Sequence, residues 1–283
     1  MQSKARSLSP LGRFLFWIKE RDAIRLKKEA GEPKPWTSDE VLQSFRFCNV
    51  RRMDDKVSVW LLKNWFAPNF NHKNMLPAIA LARFVNKPES LEQIGFPKKW
   101  DPERIKRILR AYKEDGNTLF SAAYMVAAGK GKDKIESVVD HYCQPLVDDP
   151  PELDLTNMEN CWKAIVQYNG FGSFMAGQVV ADLRWAVKGT WDDRNDWAPI
   201  GPGSSRGLNR LCNRDINTPW SQKQFFTNLK ELRRRAEAKL SKEITNRLEM
   251  HDWQNCLCET DKFNRVLNGE GHPKQVYPGA SDE

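Results

Sequence analysis

The chain has 283 residues, 40% apolar and 29% charged, with 45 Lys+Arg against 37 Asp+Glu for a formal charge of +8. This is a globular composition, which excludes disordered and membrane-embedded classes, and no run approaches the ~18 consecutive apolar residues of a membrane span. The positive surplus points first to phosphate-bearing polymers as partners.

At ~150 residues per domain, the length suits one large or two small domains. The apolar run Phe14 to Ile18 is followed at once by Lys19, Glu20 and Arg21, too soon for a secretory core, so a soluble, unexported chain is expected. Its six cysteines lack any Cys-x-x-Cys pair, and the Cys256-x-Cys258 spacing beside His251 suits a tetrahedral metal poorly. Idle thiols in a reducing compartment and no metal are expected.

In chain order, residues 11–30 read as a helix carrying Phe14, Phe16, Trp17, Ile24 and Leu26, stopped by Gly31, Pro33 and Pro35. Thr37 or Ser38 offers the next N-cap, ahead of Val41, Leu42 and Phe45. Asp101-Pro102 opens a helix with Ile105, Ile108, Leu109 and Tyr112 on one stripe and Gly116 as its stop. Asp148-Asp149-Pro150-Pro151 is the best boundary, dividing the chain into 1–150 and 151–283. Thr156 and Glu159 form a capping box before Trp162, Ile165 and Val166. Residues 189–207 read as an irregular break. Thr218-Pro219 opens a helical stretch to about 250, and 269–283 reads as an extended arm.

Two constellations carry chemistry. Tyr168-Asn169-Gly170-Phe171-Gly172-Ser173 joins two helices through Gly-x-Gly, and a tight turn of this kind at a helix start suits a DNA phosphate. It resembles the helix–hairpin–helix of DNA glycosylases. The plain alternative is a glycine-capped helix turn. Downstream, Trp191, Asp192, Asp193, Asp196 and Trp197 precede Gly201-Pro202-Gly203-Ser204-Ser205-Arg206-Gly207. The amides of Ser204 and Ser205 with the fork of Arg206 suit a phosphate, against the alternative of a solvated acidic loop. In the glycosylase resemblance the catalytic aspartate follows the hairpin closely, which matches Asp192, Asp193 and Asp196.

The amino-terminal signature is more specific. It comprises Phe16-Trp17-Ile18-Lys19-Glu20-Arg21, Gly31-Glu32-Pro33-Lys34-Pro35-Trp36-Thr37, and Phe45-Arg46-Phe47-Cys48-Asn49-Val50-Arg51-Arg52-Met53-Asp54-Asp55-Lys56. It resembles the helical domain shared by phage and bacterial thymine-hypermodification proteins: the 5-hydroxymethyluracil-DNA kinase helical region, the amino acid:DNA transferases and the glutamyl/putrescinyl thymine pyrophosphorylases. The family's Arg-Phe-Thr-Asn-Val stands here as Arg46 to Val50, with Cys48 in place of threonine. The similarity extends through Gly201-Pro202-Gly203, Gly207-Leu208-Asn209-Arg210, Cys258-Glu259-Thr260-Asp261-Lys262, Gly269-Glu270-Gly271 and Tyr277-Pro278-Gly279. No Walker-type Gly-x-x-x-x-Gly-Lys-Ser/Thr occurs to supply kinase chemistry.

The resemblance implies a mostly α fold of the helix–hairpin–helix glycosylase type, acting on modified thymine in double-stranded DNA in the cytoplasm of a phage-infected bacterium. The reaction implied is transfer of an amino acid, glycine favoured, or of a polyamine or other amine, onto phosphorylated 5-hydroxymethyluracil with loss of phosphate or pyrophosphate. The amine is a co-substrate and no further cofactor is expected. Such chemistry needs a base for the amine, for which Asp192, Asp193 or Asp196 is suited. It needs a clamp on the leaving phosphate, from Arg46, Asn49, Arg51, Arg52, Ser204, Ser205, Arg206, Arg210 and Lys262. It also needs aromatic walls for an extruded base, from Phe47, Trp191 and Trp197, with Gly170, Gly172 and Ser173 on the DNA backbone. The plain alternatives are a surface ion-pair set at 51–55, a hydrogen-bonded buried amide at Asn49, and a solvated face comprising Glu259, Asp261, Lys262 and Arg265. Rival functions are base excision and a non-catalytic DNA-binding accessory of a kinase.

Overall fold

The computed structural model describes residues 1–121, 133–273 and 276, and the chain is mostly helical. Its main helices are α1 (Pro10–Glu29), α2 (Glu40–Ser44), α3 (Met75–Val85), α4 (Pro102–Glu114), α5 (Met158–Ile165), α6 (Ser173–Ala186), α7 (Pro202–Leu211), α8 (Gln222–Glu237) and α9 (Met250–Leu267). Among the described residues, extended pairing is limited to an isolated antiparallel bridge between Phe45 and Val276. No helix of the described chain is long and apolar enough to cross a membrane. Tyr277-Pro278-Gly279 lies outside the described residues.

Local chemistry sets the helix ends. The Ser9 hydroxyl accepts the Gly12 N–H to open α1, which stops before Gly31 at φ +72°. The Asp101 carboxylate accepts the Arg104 N–H at 2.9 Å to start α4, and Gly116 at φ +83° follows its end.

Four boundaries differ from the sequence reading. Asp39, not Thr37 or Ser38, caps α2 by accepting the Leu42 N–H at 3.0 Å, while the Thr37 hydroxyl donates to Glu20. Asn157, not Thr156, caps α5 through the Asn160 N–H, because the Thr156 hydroxyl is already turned to Asp154. The stretch read as helical from 218 to 250 is broken. Helix α8 starts behind a Ser221–Gln224 capping box and ends at Glu237, and only the short turn Lys242–Thr245 precedes α9, with Leu240 and Leu248 buried on either side of it. The Gly-Pro-Gly-Ser-Ser-Arg-Gly segment, read as an irregular turn, forms the start of α7 with Pro202 at its first position.

Two compact units divide the chain: Met1–Asp55 with Asn195–Glu283, and Lys56–Arg194. The Asp148 to Pro151 stretch runs within the second unit. At the centre of that unit is α3, whose every residue is buried, as befits a helix apolar on all sides. Its Arg83 meets Asp182 of α6 in a two-pronged buried ion pair, one prong at 2.8 Å, with Ser58 and Asn86 accepting from the remaining guanidinium N–H groups. A buried charge persists only when paired and hydrogen-bonded in this way.

In the first unit, α1 buries Phe14, Trp17 and Ile18, α8 buries Phe225 and Leu229, and α9 buries Trp253, Leu257 and Phe263 in one core. Helix α7 lies unusually close to α9. A Cβ at Gly203 would collide with the Cys258 side chain, and one at Gly207 with the Leu257 carbonyl. The glycines are one helical turn apart, so one smooth strip of α7 meets the backbone of α9. Gly207→Ala is therefore expected to cost about 1–3 kcal/mol, in line with overpacking of a filled interior, because a carbonyl cannot swing aside as a side chain can. Urea denaturation of the two proteins checks this.

Candidate functional site

The close α7–α9 contact brings three separated signature segments together within the first unit. Along α9, Glu259 and Asp261 turn inward, 5% and 1% exposed, correcting the reading of this stretch as a solvated face. Asp261 accepts Arg206 Nε and Arg210 Nε, each at 2.8 Å, one on each oxygen. Glu259 accepts the backbone N–H of Cys48 at 2.9 Å and the Lys262 ammonium at 2.7 Å. Lys262 in turn stands over the Phe47 ring, 5.1 Å from its centroid.

The 47–55 segment is held from behind by α1. Arg21 occupies the apolar stripe of α1, 5% exposed, and donates to the carbonyls of Phe47 and Cys48 and, at 2.9 Å, to the Asn49 side-chain oxygen. Asn49 donates its amide to the Asp54 carbonyl and its backbone N–H to Asp55 Oδ1, both at 2.7 Å. Asn49 thus acts as the bonded amide that shapes its own loop. Phe47 packs edge-on to Trp17 and Phe263 and is buried, so it is a core ring and not an open stacking wall.

The neighbouring aspartates part ways. Asp54 pairs with Arg25, Arg51 and Arg247. Asp55 has no such ion-pair partner among the described residues and is half-buried beside Glu259. Burial raises its carboxyl to about 7, the Glu259 charge adds to the effect, and the Asn49 N–H, Arg52 and Arg21 oppose it. Burial pulls the Lys262 ammonium down, but its surroundings, led by the charge and hydrogen bond of Glu259, together outweigh it and the net shift is upward. Burial also pushes the Cys258 thiol to about 12 and holds those of Cys48 and Cys256 well above the usual range, so these sulfurs stay protonated and unreactive.

The remaining predicted residues fall elsewhere. Ser204 is fully buried, and its hydroxyl is taken up by both backbone polar groups of Gly201 and by the Gln254 amide at 2.8 Å. The Ser205 N–H closes the first helical turn onto the Gly201 carbonyl. These serines build α7 and do not present a phosphate cradle. Arg46 is exposed, Arg51 contacts Asp54, and the Arg52 N–H donates to Asp252 at 2.8 Å. Trp197 is buried in the first unit against Phe226, and exposed Asp196 pairs with Lys230.

Trp191, Asp192 and Asp193 belong to the second unit. Asp193 spends both carboxylate oxygens on the N–H groups of Met158 and Glu159, at 2.7 and 3.0 Å, and so completes the start of α5. Asp192 is exposed and donates its N–H to the Thr156 carbonyl. Trp191 is buried at φ +52°, and its indole N–H finds no acceptor among the described residues. In the α5–α6 turn, Gly170 lies at φ +85° under the Tyr142 ring, where a side chain has no room, and Gly172 stands at the N-cap of α6 ahead of Ser173.

The convergence of these segments bears on the comparisons with known proteins. The model of the "5-hmdU DNA kinase, helical domain" family matches residues 10–272. The chain belongs to that family. A 5-hmdU DNA kinase of Bacillus phage SP10 is 30% identical over 205 residues, 63% of this chain and 32% of the relative. The chain therefore matches about a third of that relative's length. No solved structure matches it.

Within the helical-domain family fold, the groups missed by sequence reading are Arg21, Asp55 and Glu259. The available signal for Arg21 was a charge on the buried stripe at Phe14, Trp17 and Ile18. For Glu259 it was a carboxylate on the inner side of an apolar helix. Asp55 carried no such signal, because Asp54 and Asp55 differ only in which way the loop turns them.

The Asp55 carboxyl yields a signed expectation. Its folded value lies above the ordinary ~3.9 of a free aspartate, so between about pH 4 and 7 the folded chain holds a proton that the unfolded chain has released, and stability falls as pH rises through that window. Asp55→Asn keeps the oxygen that accepts the Asn49 N–H. It should match the parent near pH 4 and be the more stable protein at pH 8. Urea denaturation at both pH values tests this, and a difference independent of pH would contradict it.

Proposed function

We propose that this protein modifies 5-hydroxymethyluracil in double-stranded DNA by transferring an amine, glycine favoured, onto the phosphorylated base. The observation that carries the reading is the meeting of the signature segments on Asp55, Glu259 and Lys262, in a chain whose family is named for the helical domain of 5-hmdU DNA kinases. The SP10 relative is named a kinase, whereas this sequence holds no Walker-type phosphate loop. On our reading the shared helical region handles the substrate, and in this chain it serves the step that follows phosphorylation.

In that step the amine nitrogen bonds to the methylene carbon attached to C5 of the base, the carbon–oxygen bond to phosphate or pyrophosphate breaks, and the nitrogen loses a proton. A carboxylate with a value near 7 is matched to accepting that proton at neutral pH, and Asp55 meets the requirement. Lys262, held by Glu259 over Phe47, is positioned to stabilise departing negative charge. Of Asp192, Asp193 and Asp196, Asp192 is the one whose carboxylate has neither a helix-capping bond nor an ion pair among the described residues, and it is the second candidate for the base. The Gly170-x-Gly172 turn at the start of α6 supports a helix–hairpin–helix reading in which the DNA backbone rests against Gly170, Gly172 and Ser173.

The test is incubation of purified protein with glycine or other amines and duplex DNA carrying phosphorylated 5-hydroxymethyluracil, followed by mass spectrometry of the nucleosides. An amine-bearing nucleoside is expected with the parent and a loss of at least ~100-fold in rate with Asp55→Asn, the range of general-base catalysis. Loss with Asp192→Asn alone would move the base to that residue. Free base or abasic sites would favour excision, and no product with any amine would refute the transferase reading.

A further inference from the structure

A cleft of about 280 Å³ in the first unit is lined by Arg13 of α1, by Arg210 and Arg214 at and beyond the end of α7, and by Asn213, Asn264 and Asn268 among others. Its electrostatics are unbalanced. Arg210 is neutralised by Asp261 and Glu270. Arg13 is instead pinned by neutral acceptors only: the carbonyls of Ala5 and Arg6 and the side-chain oxygens of Asn264 and Asn268, at 2.9 to 3.3 Å. Arg214 donates to the Pro219 carbonyl and lies over the Trp220 ring, 3.7 Å from its centroid. Neither guanidinium has a carboxylate partner among the described residues.

These arrangements fix two cations in place without cancelling their charge. An arginine carries five N–H donors, and the bonds named leave at least one on Arg13 and most of those on Arg214 for a ligand. Rigid, planar, uncompensated forks at one concavity match the oxygens of a phosphate group. Neither residue belongs to the Asp55–Glu259–Lys262 cluster.

We infer that the Arg13–Arg214 cleft is an anion site that binds a phosphate group, supplied by a DNA backbone phosphodiester. The alternative source of the same chemistry is a free phosphate ester. The inference rests on the proposed function only for the DNA as source and requires no transfer reaction.

Binding of the full chain to a short unmodified duplex, followed by fluorescence anisotropy across a salt series, tests it. Arg214→Gln is expected to weaken binding about tenfold and to flatten the log–log salt slope by about 1, the signature of one lost phosphate contact. Arg234→Gln, which removes the same charge from the surface of α8 beside Glu231, should change neither. Arg214→Lys should keep the slope and lose part of the affinity, and unchanged thermal melting shows that the fold is intact.

A parallel titration with inorganic phosphate and thymidine 5′-monophosphate separates the sources. If Arg214→Gln abolishes their binding while duplex affinity is unmoved, the site takes a free phosphate ester. Equal effects of Arg214→Gln and Arg234→Gln, or no effect of Arg214→Gln on any of the three ligands, would overturn the inference. Arg214-dependent duplex binding by a protein that transfers no amine would leave the site standing and refute only the transferase reading.

Discussion

The first unit depends on the contact that two glycines permit between α7 and α9. With no Cβ at Gly203 or Gly207, α7 lies against the α9 backbone at Leu257 and Cys258. That spacing lets the short reach of Asp261 engage Arg206 and Arg210 together. A wider helix pair would leave a nearly fully buried carboxylate without its guanidinium partners, a costly state in a low-dielectric interior. Packing and electrostatics thus impose the same geometry.

The same helix turns Glu259 towards the 47–55 loop, where the arrangement inverts. Asp261 has two cations to itself. Glu259 shares one lysine and a backbone N–H, and it faces Asp55 across the loop. Burial is the main reason that Asp55 holds its proton to higher pH, and the Glu259 charge nearby adds to it. Arg21 and Asn49 keep the loop in the conformation that produces this. The loop has little helical character of its own, so its shape is dictated by side-chain bonds. The chemistry of the site is accordingly a consequence of which acidic groups the fold supplies with partners.

Much of the helical scaffold was legible from local rules. Asp101-Pro102, Gly31 and Gly116 mark real helix ends because capping and left-handed backbone need only neighbouring residues. Where a boundary involved a distant partner, local rules failed. The start of α5 owes two of its N–H bonds to Asp193, 34 and 35 residues away, and that role is invisible in the sequence window around Thr156. The same holds for the site. The signature segments were visible as motifs, yet the sequence gives no measure of burial for Glu259 and Asp261, which decides between a solvated face and a charged interior. Ser204 and Ser205 looked like a phosphate cradle because glycine and proline flanked them, whereas Pro202 was marking a helix start. Trp191 and Trp197 share a short loop but belong to different units.

The site turns on a carboxyl group on Asp55 that titrates near neutrality because burial strips it of water, with the neighbouring Glu259 charge adding to the effect. Carbon-13 NMR of aspartate carboxyls, followed from pH 3 to 9 and assigned by Asp55→Asn, measures that property directly. An inflection at about 7 is expected for Asp55, moving lower when Glu259→Gln removes the neighbouring charge. An inflection close to the ordinary ~3.9 of an exposed aspartate, unmoved by that substitution, would contradict it.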